Sequence, residues 1–335
     1  MRFRLFGRSL RRLGGAVVGS LLATLLVASG ASAWNASGHM QVALIAYKKM
    51  SPATRARAVE LLRNHPRFAQ DFEEKKPDDV TTPEQEQKWL FAHAATWADI
   101  ARKQRAFHHE LWHYINEPIF LSQGDREFFE ATGIPHNVSR KLTSGSDEDD
   151  LNVVQAIALA RKRLSAASTS QSDRALYLTW LMHLVGDVHQ PLHGVAFYSK
   201  HRFPKGDKGG NDFLVTGKRS LHSTWDAFLG TSESVSYLET KVADYLKDPK
   251  LMRAADAAAG SLSVGDWVDE SHELALSFAY DAALVAVAEQ VEASGSKAKP
   301  STNLPQRYFV EGKQHARRRA VQAGYRLAAL LQKLL

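Results

Sequence analysis

The sequence predicts a single all-α domain, mostly helical with one small β-hairpin, and three observations support this. Apolar residues recur at helical spacing over most of the chain. Segments with strand character are few, and no stretch rich in proline, glycine and serine divides the chain into parts. A length of 335 residues is large for one domain, but no linker indicates a second one.

The predicted helices are the segments with apolar residues at intervals of three and four. Ser51-Pro52 is typical of a helix start, because serine caps free N–H groups and proline fits the first turn. The predicted helices are Met40–Tyr47, Pro52–Arg63, Leu151–Leu164, Ala175–His189, Val235–Leu246, Trp267–Val287 and Arg307–Leu334. The last of these carries Arg317, Arg318 and Arg319, which we interpret as a solvated face; the alternative is contact with a membrane or a nucleic acid.

Strand signal is confined to two short segments, Ala196–Ser199 and Phe213–Thr216. We expect them to pair as a hairpin around the loop His201–Gly210. The stretch Ala293–Asn303 is rich in small and polar residues, so it is predicted as a loop before the last helix.

The first 33 residues have the order of a secretory signal peptide. An apolar stretch, Leu13–Ser29, is followed by the small residues Ala31-Ser32-Ala33, which are typical of a cleavage site. We expect cleavage after Ala33, a mature domain over residues 34–335, and a secreted or periplasmic protein without membrane association. The alternative, a membrane anchor, is disfavoured by the shortness of the apolar stretch. The basic front end is formed by Arg2, Arg4, Arg8, Arg11 and Arg12.

Charge and cysteine usage narrow the possible chemistry. The five arginines of the predicted signal peptide supply most of the formal net charge of +7, so net charge says little about nucleic-acid binding. The chain has no cysteine, which excludes thiolate ligands and a cysteine nucleophile. Any metal site must therefore use histidine, carboxylate and backbone groups.

Histidine and aspartate recur at the spacing of one helical turn. His183 and Asp187 are four residues apart and interrupt an apolar stripe, where they are costly unless paired or bound to a cation. His222 and Asp226 repeat the spacing. One such pair is more often a structural hydrogen bond, but two pairs together with His193 favour a metal site. Sets of histidine and aspartate without cysteine suit hydrolytic zinc; the set is extended by Asp99 and His113.

The expected mature N-terminus is a further possible ligand. Cleavage after Ala33 frees the α-amino group of Trp34, with His39 five residues later. A free α-amine has a pKa of about 8, so a nearby cation readily keeps it neutral and able to coordinate. The alternative is that Trp34 is an aromatic anchor and His39 a surface residue.

These motifs together resemble the zinc-dependent single-strand-specific nucleases of the S1/P1 type, which share a superfamily with the bacterial zinc phospholipases C. The order and spacing of the motifs and the expected mature start agree with that family. The matching pieces are Trp34 with Gly38-His39, Trp97-Ala98-Asp99, His113–Asn116, His183–His193, Gly209-Gly210-Asn211, Leu221–Asp226, and Trp267 with Glu270 and Ser271.

The resemblance implies three Zn²⁺ ions per chain in one cleft, with Asp187 bridging two of them. The implied ligands are Asp99, His113, His183 and Asp187 for the first ion, His193, His222 and Asp226 for the second, and the amine and carbonyl of Trp34 with His39 and Asp187 for the third. A metal set of this kind cuts a phosphodiester without a protein nucleophile. Asp99 and Asp187 are thus both ligands and catalytic residues.

Two further residues resemble the family's substrate-contacting groups. Arg102 follows Asp99 by three residues and resembles an arginine that contacts phosphate, whereas a solvated surface arginine is the alternative. Asn211 follows two glycines and is suited to donate to a phosphate oxygen, whereas a turn asparagine is the alternative.

The function implied is a monomeric secreted endonuclease. It would hydrolyse single-stranded DNA or RNA to 5′-phosphate products and act on nucleotides as a 3′-nucleotidase. A zinc phospholipase C is the first alternative. Asp226 disfavours it, because the phospholipases carry glutamate at the position of the last ligand. A zinc-binding protein without catalysis is the second, and the complete ligand set argues against it.

Overall fold

The structure is a computed structural model that describes residues 34–134 and 138–335. The predicted signal peptide over residues 1–33 lies outside the described residues. Within the described ranges the chain is mostly helical, which confirms the all-α class. The helices are α1 Ala36–Lys49, α2 Pro52–Leu62, α3 Phe68–Asp71, α4 Pro83–Ala94, α5 Trp97–Ile100, α6 Gln123–Thr132, α7 Val153–Ser165, α8 Gln171–Asp187, α9 Leu221–Asp226, α10 Val235–Tyr245, α11 Pro249–Ala259, α12 Val264–Leu274, α13 Ala282–Ala293 and α14 Gln306–Leu334.

The predicted segment Trp267–Val287 is not one helix. α12 ends at Leu274, a π-helical turn covers Ala275–Ala279, and α13 begins after Asp281, whose carboxylate accepts the N–H of Ala283 at 2.9 Å. This cap starts a new helix because it satisfies an N–H group that lacks an intrahelical partner. Among the described residues, no single helix is long and apolar enough to cross a membrane. The arms Val264–Ala279 and Ala282–Ala293 meet that criterion only together, by length and composition, and are bent by 82°.

The strands form two separate pairs, and the predicted hairpin between residues 196–199 and 213–216 is wrong. The strands are β1 Glu117–Phe120, β2 Val195–Tyr198, β3 Leu214–Val215 and β4 Arg219–Ser220. β2 pairs in parallel with β1, and β3 pairs antiparallel with β4 in a small hairpin of its own. The intervening loop folds back instead onto the Asp207 carboxylate, which accepts the N–H groups of Phe197 at 2.9 Å and Gly210 at 2.7 Å.

The most buried helices are those that carry the histidine and aspartate motifs. In α1 every residue from Ser37 to Tyr47 is buried, and α8 is buried from Leu178 to Asp187. α1 packs against α4, α10 and α14, and α8 packs against α2 and α7. Polar side chains on these two helices therefore lie in the interior, where each of them needs a partner.

Candidate metal centre

The carboxylate of Asp187, at the C-terminal end of α8, is the meeting point of three histidines. Its Oδ1 lies 3.3 Å from His39 Nε2, and its Oδ2 lies 2.9 Å from His113 Nδ1 and 3.3 Å from His183 Nε2. All four residues are buried, and they come from α1, from the 3₁₀ turn 110–113 and from α8. One buried carboxylate thus contacts ligand-type side chains from three elements.

A glycine and a backbone carbonyl fix the histidines in this arrangement. A Cβ atom at Gly186 would lie 2.6 Å from His39 Nδ1, so glycine is needed for α1 to approach α8. The His39 and His183 rings then stack with centroids 3.9 Å apart. The Nδ1 of His183 donates to the carbonyl of Ala95 at 2.8 Å, which directs its Nε2 toward Asp187.

Asp99 and Arg102 lie at the edge of this cluster. Asp99 is on the short helix α5, and its Oδ1 lies 3.9 Å from His183 Nε2. The Nε of Arg102 lies 2.9 Å from the same oxygen, and the Arg102 side chain is 20% exposed. Arg102 therefore pairs with an implied ligand and also reaches solvent, where a substrate would arrive.

A second cluster consists of His193, His222 and Asp226. The Nε2 atoms of the two histidines lie 3.0 Å apart, and Asp226 Oδ2 lies 3.7 Å from His222 Nε2. The Nδ1 of His193 donates to the carbonyl of His113 at 2.6 Å, and the Nδ1 of His222 donates to the carbonyl of Gly209 at 2.7 Å. Because each neutral ring has one N–H and uses it on a carbonyl, both Nε2 atoms present lone pairs to each other.

The Gly209-Gly210 turn supplies the carbonyl that orients His222. Gly209 has φ +57°, and a Cβ atom there would lie 2.2 Å from the carbonyl oxygen of Leu192, so no other residue fits. Asn211, implied as a substrate contact, lies next in this turn. Its Nδ2 donates to the Lys208 carbonyl at 2.9 Å, and its Oδ1 accepts from Ser220 Oγ at 3.4 Å. In this structure the Asn211 amide is engaged within its own turn.

Gln190 orients a residue of the second cluster and was not among the residues predicted from the sequence; its own N–H donates to the Asp187 carbonyl at 2.9 Å. Its Nε2 donates to Asp226 Oδ1 at 2.9 Å, and its Oε1 accepts the N–H of Leu192 at 2.6 Å. The residue is fully buried directly after α8. Its place inside the His183–His193 motif is the signal that could have identified it, since a polar side chain between two implied ligands is suited to orient them.

Trp34 directly precedes Asn35, whose backbone bonds to a residue of each cluster. It is fully buried, and the following Asn35 donates its backbone N–H to the carbonyl of Asp226 at 3.4 Å. The Asn35 carbonyl accepts the N–H of His39 at 3.2 Å within the first turn of α1. His39 is buried, so the alternative interpretation of His39 as a surface residue is wrong. The start of the described chain is fixed close to the residues with which the Trp34 amine is expected to act.

Burial and neighbouring carboxylates set the charges in the clusters. Burial lowers the pKa of His193 to about 3, with His222 acting in the same direction, and burial also lowers the pKa values of His39 and His113. Burial alone would lower the pKa of His183, but the carboxylates of Asp187 and Asp99 raise it above its ordinary value. Neutral imidazoles offer lone pairs to a cation, and the neighbouring carboxylates favour a positive charge within the cluster.

The residues present fit zinc, as the unpartnered atoms of the clusters indicate. Several buried polar atoms have no hydrogen-bond partner among the described residues: His39 Nδ1 and Nε2, His113 Nε2 and Asp187 Oδ1. Three groups of possible ligand atoms each lie within 4.8 Å of one another: His39, His183 and Asp187; Asp99, His113 and His183; His193, His222 and Asp226. Buried nitrogen and oxygen atoms in this state are costly without a cation, and zinc accepts both kinds.

A buried ion-pair network supports the chain segment between the clusters. Arg326 donates from both terminal nitrogens to Glu270, at 2.7 and 2.6 Å, and Arg319 pairs with the same carboxylate. Arg326 also lies 2.9 Å from His189 Nε2, and Arg319 donates to the His189 carbonyl at 3.1 Å. His189 is two residues after Asp187, so this network fixes the chain segment that follows α8.

The network corrects the sequence interpretation of α14. The sequence predicts Arg319 on a solvated face with Arg317 and Arg318, but Arg319 is only 4% exposed, while the other two are exposed. Glu270 and Ser271 account for this, because Arg319 also donates to Ser271 Oγ at 2.9 Å. Burial of two arginines is tolerated because each donates to a carboxylate and to neighbouring carbonyls.

Fold and site together define a class: a mostly helical protein with buried clusters of histidine and aspartate of the kind that can hold metal ions. Residues 34–335 match the S1/P1 nuclease family, and the chain belongs to that family. Its relatives include Endonuclease 5 of Arabidopsis thaliana, 26% identical over 95% of both chains, and Endonuclease 2 of the same plant, 30% identical over 52% of both. Nuclease P1 of Penicillium citrinum is 28% identical over 43% of this chain and 53% of its own.

Proposed function

We propose that this protein is a secreted zinc-dependent endonuclease that cuts single-stranded DNA and RNA to 5′-phosphate products and removes 3′-phosphates from nucleotides. The observation that carries the proposal is the Asp187 carboxylate, which contacts His39, His113 and His183 within 3.3 Å inside the protein. A carboxylate shared in this way is suited to hold two cations at once. The family and the named relatives support a nuclease rather than another hydrolase.

The residues that would hold three zinc ions form adjoining sets. Asp99, His113, His183 and Asp187 would hold one, and His193, His222 and Asp226 a second; the third would lie between Asp187, His39 and the amine and carbonyl of Trp34. Bound zinc supplies acidified water and neutralises charge on phosphoryl oxygens. The protein's own contribution is orientation, because the N–H groups of His183, His193 and His222 are all committed to carbonyl acceptors.

Arg102 is the residue we propose to bind the substrate phosphate. Its Nε is paired with Asp99, and the side chain as a whole is 20% exposed, so the residue can be reached from solvent. A guanidinium matches two phosphate oxygens at once, which positions the phosphorus atom next to the clusters. Asn211 can add a second donor only if its amide leaves the Lys208 carbonyl, so its contribution is secondary.

Export and removal of residues 1–33 complete the proposed site. While Trp34 is joined to Ala33 its nitrogen is an amide, whose delocalised lone pair cannot coordinate a metal. Cleavage creates the amine one residue before Asn35, whose backbone bonds to Asp226 and His39. A chain with one extra N-terminal residue should therefore bind fewer zinc ions and cut slowly, whereas a C-terminal tag after α14 should be harmless. Equal zinc content and equal cleavage rate in the extended and processed forms would mean that Trp34 is only an anchoring aromatic residue.

Substrate preference tests the proposal. The purified chain starting at Trp34 is incubated with single-stranded DNA, single-stranded RNA, duplex DNA and phosphatidylcholine, with Asp187→Asn as the inactive control. We expect both single strands to be cut faster than the duplex, because unpaired strands bend into a site that a duplex does not enter. Equal rates on single and double strands would contradict single-strand specificity. Turnover of phosphatidylcholine without nucleic-acid cleavage would assign the chain to the phospholipase branch.

A further inference from the structure

A groove of about 880 Å³ lies between α10, α11 and α14 and is lined by basic side chains from all three helices. Lys241 comes from α10, Lys250 and Arg253 come from α11, and Arg317 and Arg318 come from α14. Within residues 34–134 and 138–335, none of these five side chains takes part in an ion pair. The volume is that of an ordinary ligand site.

The acidic residues of the groove are already engaged. Asp248 caps α11 by accepting the N–H groups of Lys250 at 2.8 Å and Leu251 at 3.4 Å. Asp244 lies 3.3 Å from Lys247, which is outside the lining. The positive charges in the groove thus outnumber the negative ones, which produces a local field that attracts anions although the chain as a whole is only moderately basic.

The groove is on the opposite side of α1 from the metal centre. Tyr245 is one of its buried lining residues, and its hydroxyl donates to Gln41 Oε1 at 3.0 Å. Gln41 follows His39 by two residues, and such positions project from nearly opposite faces of a helix. His39 faces α8, so the groove and the clusters are separated by the width of α1.

We propose that this groove binds the phosphate backbone of a single-stranded nucleic acid at a distance from the cleavage site. The proposal rests on the proposed nuclease function, which supplies a substrate that is a chain of anions. A concave surface with cations on three walls fits a flexible phosphodiester chain, which can enter it, better than a flat lipid surface. A strand held there raises the local concentration of its other phosphates near the metal centre.

The test compares long and short substrates of the zinc-loaded enzyme. The groove variant carries Arg253→Gln, Arg317→Gln and Arg318→Gln, all at exposed positions, and the matched control carries Arg57→Gln, Lys75→Gln and Lys162→Gln, also exposed. For an oligothymidylate of about 30 nucleotides the groove variant should show a KM about tenfold higher at low salt with unchanged kcat. The dinucleotide TpT, too short to reach the groove, should keep its KM within about twofold.

Salt dependence and direct binding add independent readouts. The slope of log kcat/KM against log salt on the long strand should become shallower by about 2, since each phosphate contact contributes about 0.7. Unchanged KM and slope in the groove variant, or equal changes in the control variant, would overturn the proposal. Pelleting of the wild type but not the groove variant with phosphatidylserine vesicles, without a change in oligonucleotide KM, would instead assign the groove to membranes.

This design distinguishes failure of the groove proposal from failure of the proposed nuclease function. If the wild type hydrolyses neither TpT nor the long strand, the proposed function is wrong. Fluorescence anisotropy of the labelled long strand then still decides on the groove: binding that is weakened by the groove substitutions and not by the control supports it, and identical binding by all three proteins overturns it.

Discussion

The Nε2 atoms of His193 and His222 lie 3.0 Å apart with their lone pairs facing each other, because the Nδ1 of each ring is committed to a carbonyl. Two nitrogens bound to one tetrahedral zinc at about 2.05 Å lie about 3.3 Å apart, so the spacing is close to that of a metal pair. The two lone pairs repel each other in the protein interior. A cation bound between them removes this repulsion, which favours metal binding.

We expect His222→Ala to lose one zinc ion per chain and to lower activity by about 100-fold or more. In metal-free protein the variant should be less stable than the wild type toward urea, because the buried ring and its hydrogen bond to the Gly209 carbonyl are lost. Added zinc should raise the stability of the wild type by more than that of the variant, because the variant lacks one ligand. His201→Ala, at an exposed histidine, is the control and should keep full zinc content. Equal stabilisation of the wild type and the variant by zinc would indicate an ordinary structural histidine pair.

Asp187→Asn should remove more than one zinc ion per chain and nearly all activity. The reason is that Asp187 contacts histidines of two of the possible ligand groups, so one substitution weakens both. Asp256→Asn, an exposed aspartate, is the matched control. Metal analysis and turnover on single-stranded DNA are the measurements, and full zinc content with normal turnover would exclude a shared carboxylate.

Arg102→Lys should leave the zinc content unchanged and lower kcat/KM by about 10- to 100-fold. Lysine keeps the charge but replaces a planar fork with a single ammonium group, so bidentate phosphate contact is lost. Arg105→Lys, three residues further on and exposed, should have no effect. A change in zinc content in Arg102→Lys would mean that Arg102 acts through Asp99 rather than on the substrate.

Glu270→Gln should lower the free energy of unfolding by about 2 kcal/mol, because Arg319 and Arg326 are left buried without a counter-charge. The partial exposure of Glu270 keeps the effect below that of a fully buried pair. Glu273→Gln, one helical turn away and exposed, is the control and should change stability by less than about 0.5 kcal/mol. Urea unfolding measures both, and a Glu270→Gln variant as stable as the control would show that the network contributes little.

The parts of the molecule with short-range signals were predictable from the sequence. Helical periodicity indicated α1, α8 and α14, and the four-residue spacing of His183 and Asp187 was enough to predict that both lie on one face of α8. The resemblance added the wider ligand set, and the structure brings its histidines and aspartates into neighbouring clusters.

Long-range pairing was not predictable in the same way. β2 pairs with β1, about 80 residues earlier in the chain, and local strand propensity does not identify a partner at that separation. Arg319 carried no sign of burial because the partner that makes it tolerable, Glu270, lies on another helix. The break in the predicted helix Trp267–Val287 depends on the cap by Asp281, a local signal that the apolar periodicity on both sides obscured.

Zinc content and strand preference of the chain starting at Trp34, measured on one preparation, test the central claim most directly. The account predicts about three zinc ions per chain, loss of cleavage when a chelator removes them, and recovery when zinc is restored, with single-stranded DNA cut faster than duplex. A fully active preparation with fewer than about two zinc ions, or a fully loaded one that leaves single-stranded nucleic acid intact, would contradict it.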